Sequence, residues 1–320
     1  MSADRYPWHA SPLQQLARTD RWPHALLLTG SVGLGKRALA EHLVQRLVCH
    51  TPSPSGPCGR CKGCALFNAA AHPDVLRVEP AETKKEIGID AVRELSEFMA
   101  LKPHSGQHKV VLIAPAEALN PHAANALLKV LEEPPAGAYL ILVSHDFARL
   151  LSTVRSRCVR LNVSAPPFTQ GLAWLAQHSS APQTSLSVIL EAAREAPLAA
   201  LQLLEQGAAE SFSSFMTDLE AVASGGSDVA SVAASWKKQG TALAVTWLQT
   251  WLADYLAQRP AACTVSAARL LQGTDPRDVF RLLDAVTDAR RLLQGPLDEL
   301  LLLEDLLIRW LRLHRRRAHG

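Results

Sequence analysis

The pattern of apolar and polar positions changes character about halfway along the 320-residue chain. Between residues 24 and 163, short apolar or β-branched runs alternate with stretches of helical pattern. This alternation predicts a mainly parallel sheet covered by helices. The predicted strands are Ala25 to Thr29, Val75 to Val78, Lys109 to Ala114, Tyr139 to Ser144 and Val159 to Val163.

Capping signals mark several helix starts in this part of the chain. A helical pattern runs from Arg37 to Val48. Asp90 is placed to cap a helix predicted from Ala91 to Leu101. Asn120 precedes Pro121, and proline is favoured at the first helical position. The helices are therefore expected to connect the predicted strands.

The alternation stops at Ala165-Pro166-Pro167, where prolines break the pattern. Beyond this point the chain shows no convincing strand, only leucine- and alanine-rich helical segments separated by proline and glycine. A length of 320 residues also suggests more than one domain. We therefore predict a sheet domain over 1–165, a small helical domain over 166–207 and a larger helical bundle over 208–320.

Composition places the chain among ordinary globular proteins. Hydrophobic residues make up 48% and charged residues 20%, which is enough for a substantial core. The net charge of +3 is too small to indicate a nucleic-acid partner by itself. No apolar run approaches the ~18 residues of a membrane span, and the N-terminus lacks a signal-peptide core. We therefore expect a soluble protein of the cytoplasm.

A phosphate-binding pattern follows the first predicted strand. From Gly30 to Arg37 the chain reads Gly-Ser-Val-Gly-Leu-Gly-Lys-Arg. Backbone N–H groups in such a loop and the helix N-terminus after it cradle phosphate, so the candidate ligands are Gly30, Gly33, Gly35 and Lys36. Arg37 stands where a magnesium-binding Ser or Thr is expected, and its charge opposes a metal ion there. The alternative is a glycine-rich turn in a protein that binds no nucleotide.

The third predicted strand lacks the acids that ATP hydrolysis needs. In a working phosphate-loop ATPase this strand ends in carboxylates that hold hydrated magnesium and orient the attacking water. Ala114 and Pro115 occupy these positions, and neither binds a metal or accepts a proton. Glu117 lies three residues past the strand end. The chain is therefore expected to have no ATPase activity by itself, while passive nucleotide binding stays open.

Four of the six cysteines are crowded into one short segment. Cys49, Cys58, Cys61 and Cys64 are separated by eight, two and two residues. Four thiolates at such spacing favour a closed tetrahedral zinc site, which is structural because no position remains for water. The alternatives are free cysteines or a transient disulfide.

Three motifs together carry a resemblance to a known family. They are Lys109 to Ile113, Asn125 to Pro135 (Asn-Ala-Leu-Leu-Lys-Val-Leu-Glu-Glu-Pro-Pro) and Ser156-Arg157-Cys158. They resemble the clamp-loader branch of the AAA+ ATPases, which includes subunits of the bacterial DNA polymerase III clamp loader. The resemblance covers about residues 6 to 205. It implies an α/β AAA+ P-loop domain with a parallel sheet and a zinc insertion, followed by a small helical lid and a C-terminal all-α bundle that acts as an oligomerisation collar.

The same resemblance implies a role for Arg157. It would be an arginine finger that points toward ATP on a neighbouring ATPase subunit. Leu198-Ala199 stands where an active subunit would have its lid arginine, a further loss that fits a non-hydrolysing member. The alternative is that Arg155, Arg157 and Arg160 form a solvated basic edge.

The resemblance implies a non-hydrolysing subunit of the replicative DNA clamp loader. Its implied partners are the other clamp-loader subunits, including the ATPase subunits, and the sliding clamp and primed DNA through the complex, with no membrane. Two other classes stay open. One is a self-sufficient AAA+ ATPase in which Glu117 or Glu132 replaces the missing acids, which ATP turnover by the purified chain would reveal. The other is a zinc-dependent nucleic-acid binder, which a salt-dependent DNA affinity would reveal.

Overall fold

The structure is a computed structural model that describes residues 6–18, 22–53, 56–81, 84–104, 108–181, 183–257, 270–293, 295 and 297–317. The chain divides into two compact units, Met1–Pro166 and Pro167–Gly320.

A five-stranded parallel sheet forms the centre of the first unit. Its strands are β1 (Ala25–Thr29), β2 (Val75–Val78), β3 (Lys109–Ile113), β4 (Ala138–Val143) and β5 (Val159–Asn162). Their order across the sheet is β2-β3-β4-β1-β5. All five strand predictions are confirmed, and no strand end differs from its prediction by more than one residue.

The central strands are apolar because helices cover both of their faces. Every residue of β1 and β3 is buried, including Lys109 at the start of β3. At the sheet edge, by contrast, Leu161 is the one buried residue of β5. The loop after β1 therefore leaves the sheet between β4 and β5, at the carboxyl edge where parallel sheets bind ligands.

Helices connect these strands. They are α1 (Ala10–Ala17), α2 (Lys36–Val48), α3 (Lys62–Asn68), α4 (Ile89–Ala100), α5 (Pro121–Glu132) and α6 (Ser152–Arg155), with short 3-10 helices at Pro7–His9 and Ala116–Ala118. The predicted cap of α5 is confirmed, since the Asn120 side chain accepts a hydrogen bond from the Ala123 N–H at 2.9 Å. The predicted cap of α4 is wrong. Asp90 lies inside the first turn, and Gly88 is the N-cap residue.

The described part of the second unit is helical. It contains α7 (Phe168–His178), α8 (Gln183–Ala192), α9 (Pro197–Glu205), α10 (Ala208–Ser224), α11 (Val229–Leu256), α12 (Pro276–Leu292) and α13 (Glu299–Arg317). Helix α11 is kinked at Gly240, whose φ is 118°. Large aromatic side chains fill the core between α10, α11 and α13, namely Phe215, Trp236, Trp247 and Trp310. Among the described residues, no helix is both long and apolar enough to cross a membrane.

Candidate functional site

The phosphate-loop pattern forms the expected turn between β1 and α2. Gly30, Gly33 and Gly35 have φ angles of 145°, 82° and 72°, which residues with a side chain rarely adopt. A Cβ atom at Gly30 would also overlap the carbonyl oxygen of Val163 beside β5. Glycine is therefore required at this position by both conformation and space.

Lys36 turns back on its own loop. The side chain is buried, and its Nζ donates hydrogen bonds to the carbonyl oxygens of Gly30 (2.7 Å) and Ser31 (2.6 Å). Burial lowers the pKa of Lys36 to about 8, while the charge of Glu117 opposes this shift. The ammonium group that would meet a phosphate is thus occupied by acceptors within the loop.

The N-terminal 3-10 helix contacts the same loop. The Nε1 of Trp8 donates to the carbonyl oxygen of Leu34 at 2.9 Å, and the Nε2 of His9 lies 2.8 Å from the same oxygen. Burial lowers the pKa of His9, so the neutral ring donates from Nε2. Sequence reasoning missed these two residues. The cluster of aromatic and histidine side chains at positions 6 to 9 is the signal that could have found them.

Arg37 has an acidic partner that sequence reasoning also missed. Its guanidinium pairs with both carboxylate oxygens of Glu79, just after β2. This contact raises the pKa of Arg37 above its already high ordinary value. The expected loss of a hydroxyl ligand at position 37 stands, but the charge of Arg37 is balanced by a carboxylate.

The two residues directly after β3 are not acidic. Ala114 and Pro115 follow the strand, and Glu117 is the middle residue of the 3-10 helix Ala116–Ala118. The Oε1 of Glu117 accepts a hydrogen bond from the His145 N–H at 2.9 Å, whereas its Oε2 is buried without a hydrogen-bond partner in the described structure. Burial and the charge of Lys36 both lower the pKa of His145, and Glu117 opposes them. Glu117 is therefore the carboxylate that faces the loop lysine.

Ser144 is a further polar residue at this edge of the sheet. It directly follows β4 and is fully buried, and its N–H donates to the Leu28 carbonyl oxygen at 2.8 Å. No described group forms a hydrogen bond with its Oγ. A polar residue at the end of an apolar strand was the available signal.

The four clustered cysteines meet in space. One sulfur from each of Cys49, Cys58, Cys61 and Cys64 lies within 4.8 Å of the others, and all four are free thiols. The Sγ atoms of Cys49 and Cys61 are 3.8 Å apart. Sulfurs bound to one tetrahedral metal at ~2.3 Å are about 3.8 Å apart, so this donor set fits a metal ion.

Two helix ends and a glycine hold the cysteine cluster in place. Cys49 is the C-cap residue of α2, and Cys61 caps α3 by accepting a hydrogen bond from the Cys64 N–H at 3.4 Å. A Cβ atom at Gly63 would overlap the Val48 carbonyl oxygen, so this glycine permits the close approach of the two helices. The cluster therefore ties α3 to the end of α2.

The Ser156-Arg157-Cys158 turn follows α6 and is anchored to the core of the sheet unit. Cys158 packs against the core of the sheet unit, and burial raises its pKa to about 12. It is therefore a packing residue and an unreactive thiol. The guanidinium groups of Arg155 and Arg160 lie 4.8 and 4.3 Å from the ring centre of Phe147. Arg155 and Arg160 therefore both contact the same aromatic ring.

Arg157 makes its own set of contacts. Its Nε donates to the Oε1 of Glu132 at 2.7 Å, and its Nη2 lies 2.5 Å from the same oxygen. Its Nη1 donates to the Thr153 carbonyl oxygen at 3.1 Å and to the Ser156 Oγ at 3.2 Å. The side chain stays 36% exposed, so it is both oriented and accessible.

Comparison with known proteins gives consistent matches. The family model described as "DNA polymerase III, delta subunit" matches residues 8–167. DNA polymerase III subunit delta′ of Pseudomonas aeruginosa is 40% identical over 78% of this chain and 76% of its own length. The delta′ subunit of Escherichia coli K12 is 34% identical over 95% of this chain and 94% of its own length. A solved gamma subunit-related protein of Thermotoga maritima is 20% identical over 95% of this chain and all of that chain, with a TM-score of 0.46.

The family model covers half of the chain, and the two delta′ relatives cover most of it. The motifs that carried the resemblance and all five strands of the sheet lie within the matched region. The chain therefore belongs to the delta′ family of bacterial DNA polymerase III clamp-loader subunits.

Proposed function

We propose that this chain is a clamp-loader subunit that does not hydrolyse ATP itself and supplies Arg157 in trans to a neighbouring ATPase subunit during sliding-clamp loading. The proposed partners are the other clamp-loader subunits, and the sliding clamp and primed DNA are reached through the complex. The relatives support this, since their names are those of delta′, tau and tau/gamma subunits of DNA polymerase III.

The chemistry of the chain's own phosphate loop supports the absence of hydrolysis. Lys36 is held by two loop carbonyl groups, and Arg37 is paired with Glu79. Ala114 and Pro115 offer no ligand for magnesium and no base for water. A nucleotide at this loop would have to draw Lys36 away from its present acceptors, so passive binding by Gly30, Gly33, Gly35 and Lys36 is expected to be weak.

The observation that carries the proposal is the Ser156-Arg157-Cys158 turn. The turn is anchored in the core through Cys158 and presents an oriented, accessible guanidinium at the protein surface. A planar, permanently charged fork suits the oxygens of a transferring phosphoryl group. An arginine finger of this kind contributes about 10³ to 10⁵ in rate in other phosphoryl-transfer enzymes.

The cysteine cluster is proposed to hold one structural zinc ion. Cys49, Cys58, Cys61 and Cys64 would supply four thiolates, and a closed set of this kind leaves no position for a reacting water. The ion would hold α3 against the end of α2. Its contribution is therefore to the stability of this part of the sheet unit.

The second unit is proposed to divide into two parts. Residues 166–207, with α7 to α9, would form the lid, and residues 208–320, with α10 to α13, the oligomerisation collar. In the first turn of α9, Leu198 and Ala199 offer no charge to a nucleotide. These two positions of the lid would therefore supply no charged group to a nucleotide.

The test of the trans role is a reconstituted clamp loader that contains Arg157→Ala. ATP hydrolysis by the complex should fall, because one ATP site loses its finger, while the variant still assembles. Arg149→Ala is the matched control, since Arg149 is an exposed arginine of the same unit. Unchanged hydrolysis in a complex shown to contain the Arg157 variant would refute the proposal.

A self-sufficient ATPase is the second candidate, favoured by one observation. Glu117 lies close enough to Lys36 to shift its pKa, although its Oε1 is already bound by the His145 N–H. Glu132 is instead engaged by Arg157. We expect the isolated chain to show no magnesium-dependent phosphate release. Turnover that disappears on Lys36→Ala would establish the ATPase instead.

A further inference from the structure

We infer that Glu132 is a positioning residue for Arg157: its carboxylate braces one edge of the guanidinium and directs the other edge toward the neighbouring subunit's ATP. This inference rests on the proposed trans role of Arg157. The two residues are 25 positions apart in sequence, and the fold brings them together at the ends of α5 and α6.

The Glu132 carboxylate lies at the C-terminus of α5, where the helix dipole disfavours a negative charge. Glu132 is the last residue of α5, and a negative charge at a helix C-terminus is opposed by the helix dipole. The side chain is 50% exposed, and exposed ion pairs contribute little to fold stability. Neither helix preference nor stability therefore accounts for this contact, whereas orientation of Arg157 does.

The contacts of Arg157 differ in strength from one edge to the other. Nε and Nη2 face the charged Oε1 of Glu132 at 2.7 and 2.5 Å. Nη1 faces the neutral Thr153 carbonyl and Ser156 hydroxyl at 3.1 and 3.2 Å. Hydrogen bonds to a charged acceptor are shorter and stronger than bonds to neutral ones.

An incoming phosphate would therefore compete unequally for the two edges. It can displace the long neutral contacts of Nη1 and take the remaining N–H of Nη2, because a guanidinium has five N–H donors. The Nε hydrogen bond and the ion pair with Glu132 can stay in place throughout. Glu132 thereby fixes the plane of the fork before the neighbouring subunit arrives, and less side-chain freedom is lost when the site assembles.

The experiment measures ATP hydrolysis by the reconstituted complex with substitutions in this chain alone. The part of the hydrolysis that depends on Arg157 is measured first, as the loss that Arg157→Ala causes. The effect of each Glu132 variant is then expressed as a fraction of that share. Glu132→Ala should lower the kcat of that share by up to about 100-fold, the loss that a misplacement of about 1 Å can cause. The KM for ATP should stay within about twofold, because nucleotide binds the neighbouring subunit.

Further variants separate positioning from other roles. Glu132→Gln keeps an oxygen acceptor for Nε but loses the charge, so its activity should lie between that of the unsubstituted complex and that of Glu132→Ala. The double variant Glu132→Ala, Arg157→Ala should match Arg157→Ala, since the brace acts only through the finger. Glu133→Ala is the matched control, because Glu133 is the next residue, is exposed and has no ion pair among the described side chains. If Glu132→Ala does not assemble, Glu132→Asp serves, since its shorter carboxylate keeps the charge but falls short of Nε.

The outcomes are distinct for the two proposals. If Arg157→Ala leaves hydrolysis unchanged, the trans role itself fails, and the brace with it. If Arg157→Ala lowers hydrolysis but Glu132→Ala equals or exceeds the unsubstituted complex, the finger stands and the brace is refuted. An increase would mean that Glu132 competes with the phosphate for Arg157.

Discussion

Lys36 is a buried cation whose ammonium group is held by two carbonyl groups of its own loop. Its pKa is about 8 in the folded chain, against 10.5 for an ordinary lysine. Between these two pH values the unfolded chain binds more protons than the folded chain. By linkage, the free energy of unfolding then rises with pH, because the folded state no longer has to bury a charge.

We expect Lys36→Met to remove this pH dependence. Between pH 8 and 10.5 the unsubstituted chain should gain stability relative to the variant, by at most about 1.4 kcal/mol per pH unit. At neutral pH both folded and unfolded lysines are charged, so the difference between the proteins should be constant there. Urea unfolding of both proteins at pH 7, 8, 9 and 10 measures this. Parallel stability profiles above pH 8 would contradict the assignment.

Some residue contacts were beyond sequence reasoning for a physical reason. Glu79 and Arg37 are 42 positions apart, and Trp8 and Leu34 are 26 apart. No local pattern links such pairs, because each depends on which sheet edge or helix end the fold brings near. A feature formed by residues adjacent in sequence could be predicted. An example is the lack of an acidic group at Ala114 and Pro115, directly after a strand.

At the scale of the element, burial explains why the three central strands were easy to predict. The strands β1, β3 and β4 are almost wholly apolar and buried, so their runs stand out from the flanking loops. Asp90 misled because Asp is favoured both at the N-cap and in the first helical turn, and the sequence does not separate the two. In the structure Gly88 is the N-cap residue and has an extended backbone.

The second prediction of the Discussion concerns the cysteine cluster. Changing Cys58 and Cys61 together to Ser should abolish metal binding, because two of the four thiolates are lost. Metal affinity contributes to folding, so α3 and the segment before it should also lose stability. Metal analysis of reduced protein and hydrogen exchange over residues 49–68 measure the two effects.

Cys158→Ala provides the control for the cysteine cluster. Cys158 is also buried, but it packs against the sheet core and is not one of the clustered cysteines. This variant should keep its full metal content even if its stability falls. Equal metal content in the Cys58, Cys61 double variant and in the control would show that the cluster is not the metal site.

At the scale of the whole molecule, the two units differ in how much their sequence reveals. The first unit carries the phosphate loop, the cysteine spacing and the Ser-Arg-Cys turn, each of which has a chemical role proposed from its sequence. In the second unit the helical pattern correctly indicated helices, but their arrangement depends on long-range packing of side chains such as Trp236 and Trp310. Local pattern gives no measure of such packing, so the arrangement was not predictable.

The last prediction belongs to the assembled complex and concerns the geometry of the finger. Arg157→Lys should rescue hydrolysis poorly, because an ammonium keeps the charge but loses the planar fork and the Nε contact to Glu132. If ATP sites between other subunits have fingers of their own, as the proposed function implies, total hydrolysis should fall only in part. Clamp loading should fall further, since it needs the sites to act together. Parallel assays of phosphate release and of clamp loading onto primed DNA compare Arg157→Lys with Arg157→Ala. Full activity of the Lys variant would show that charge alone suffices and that the fork is not what the neighbouring site requires.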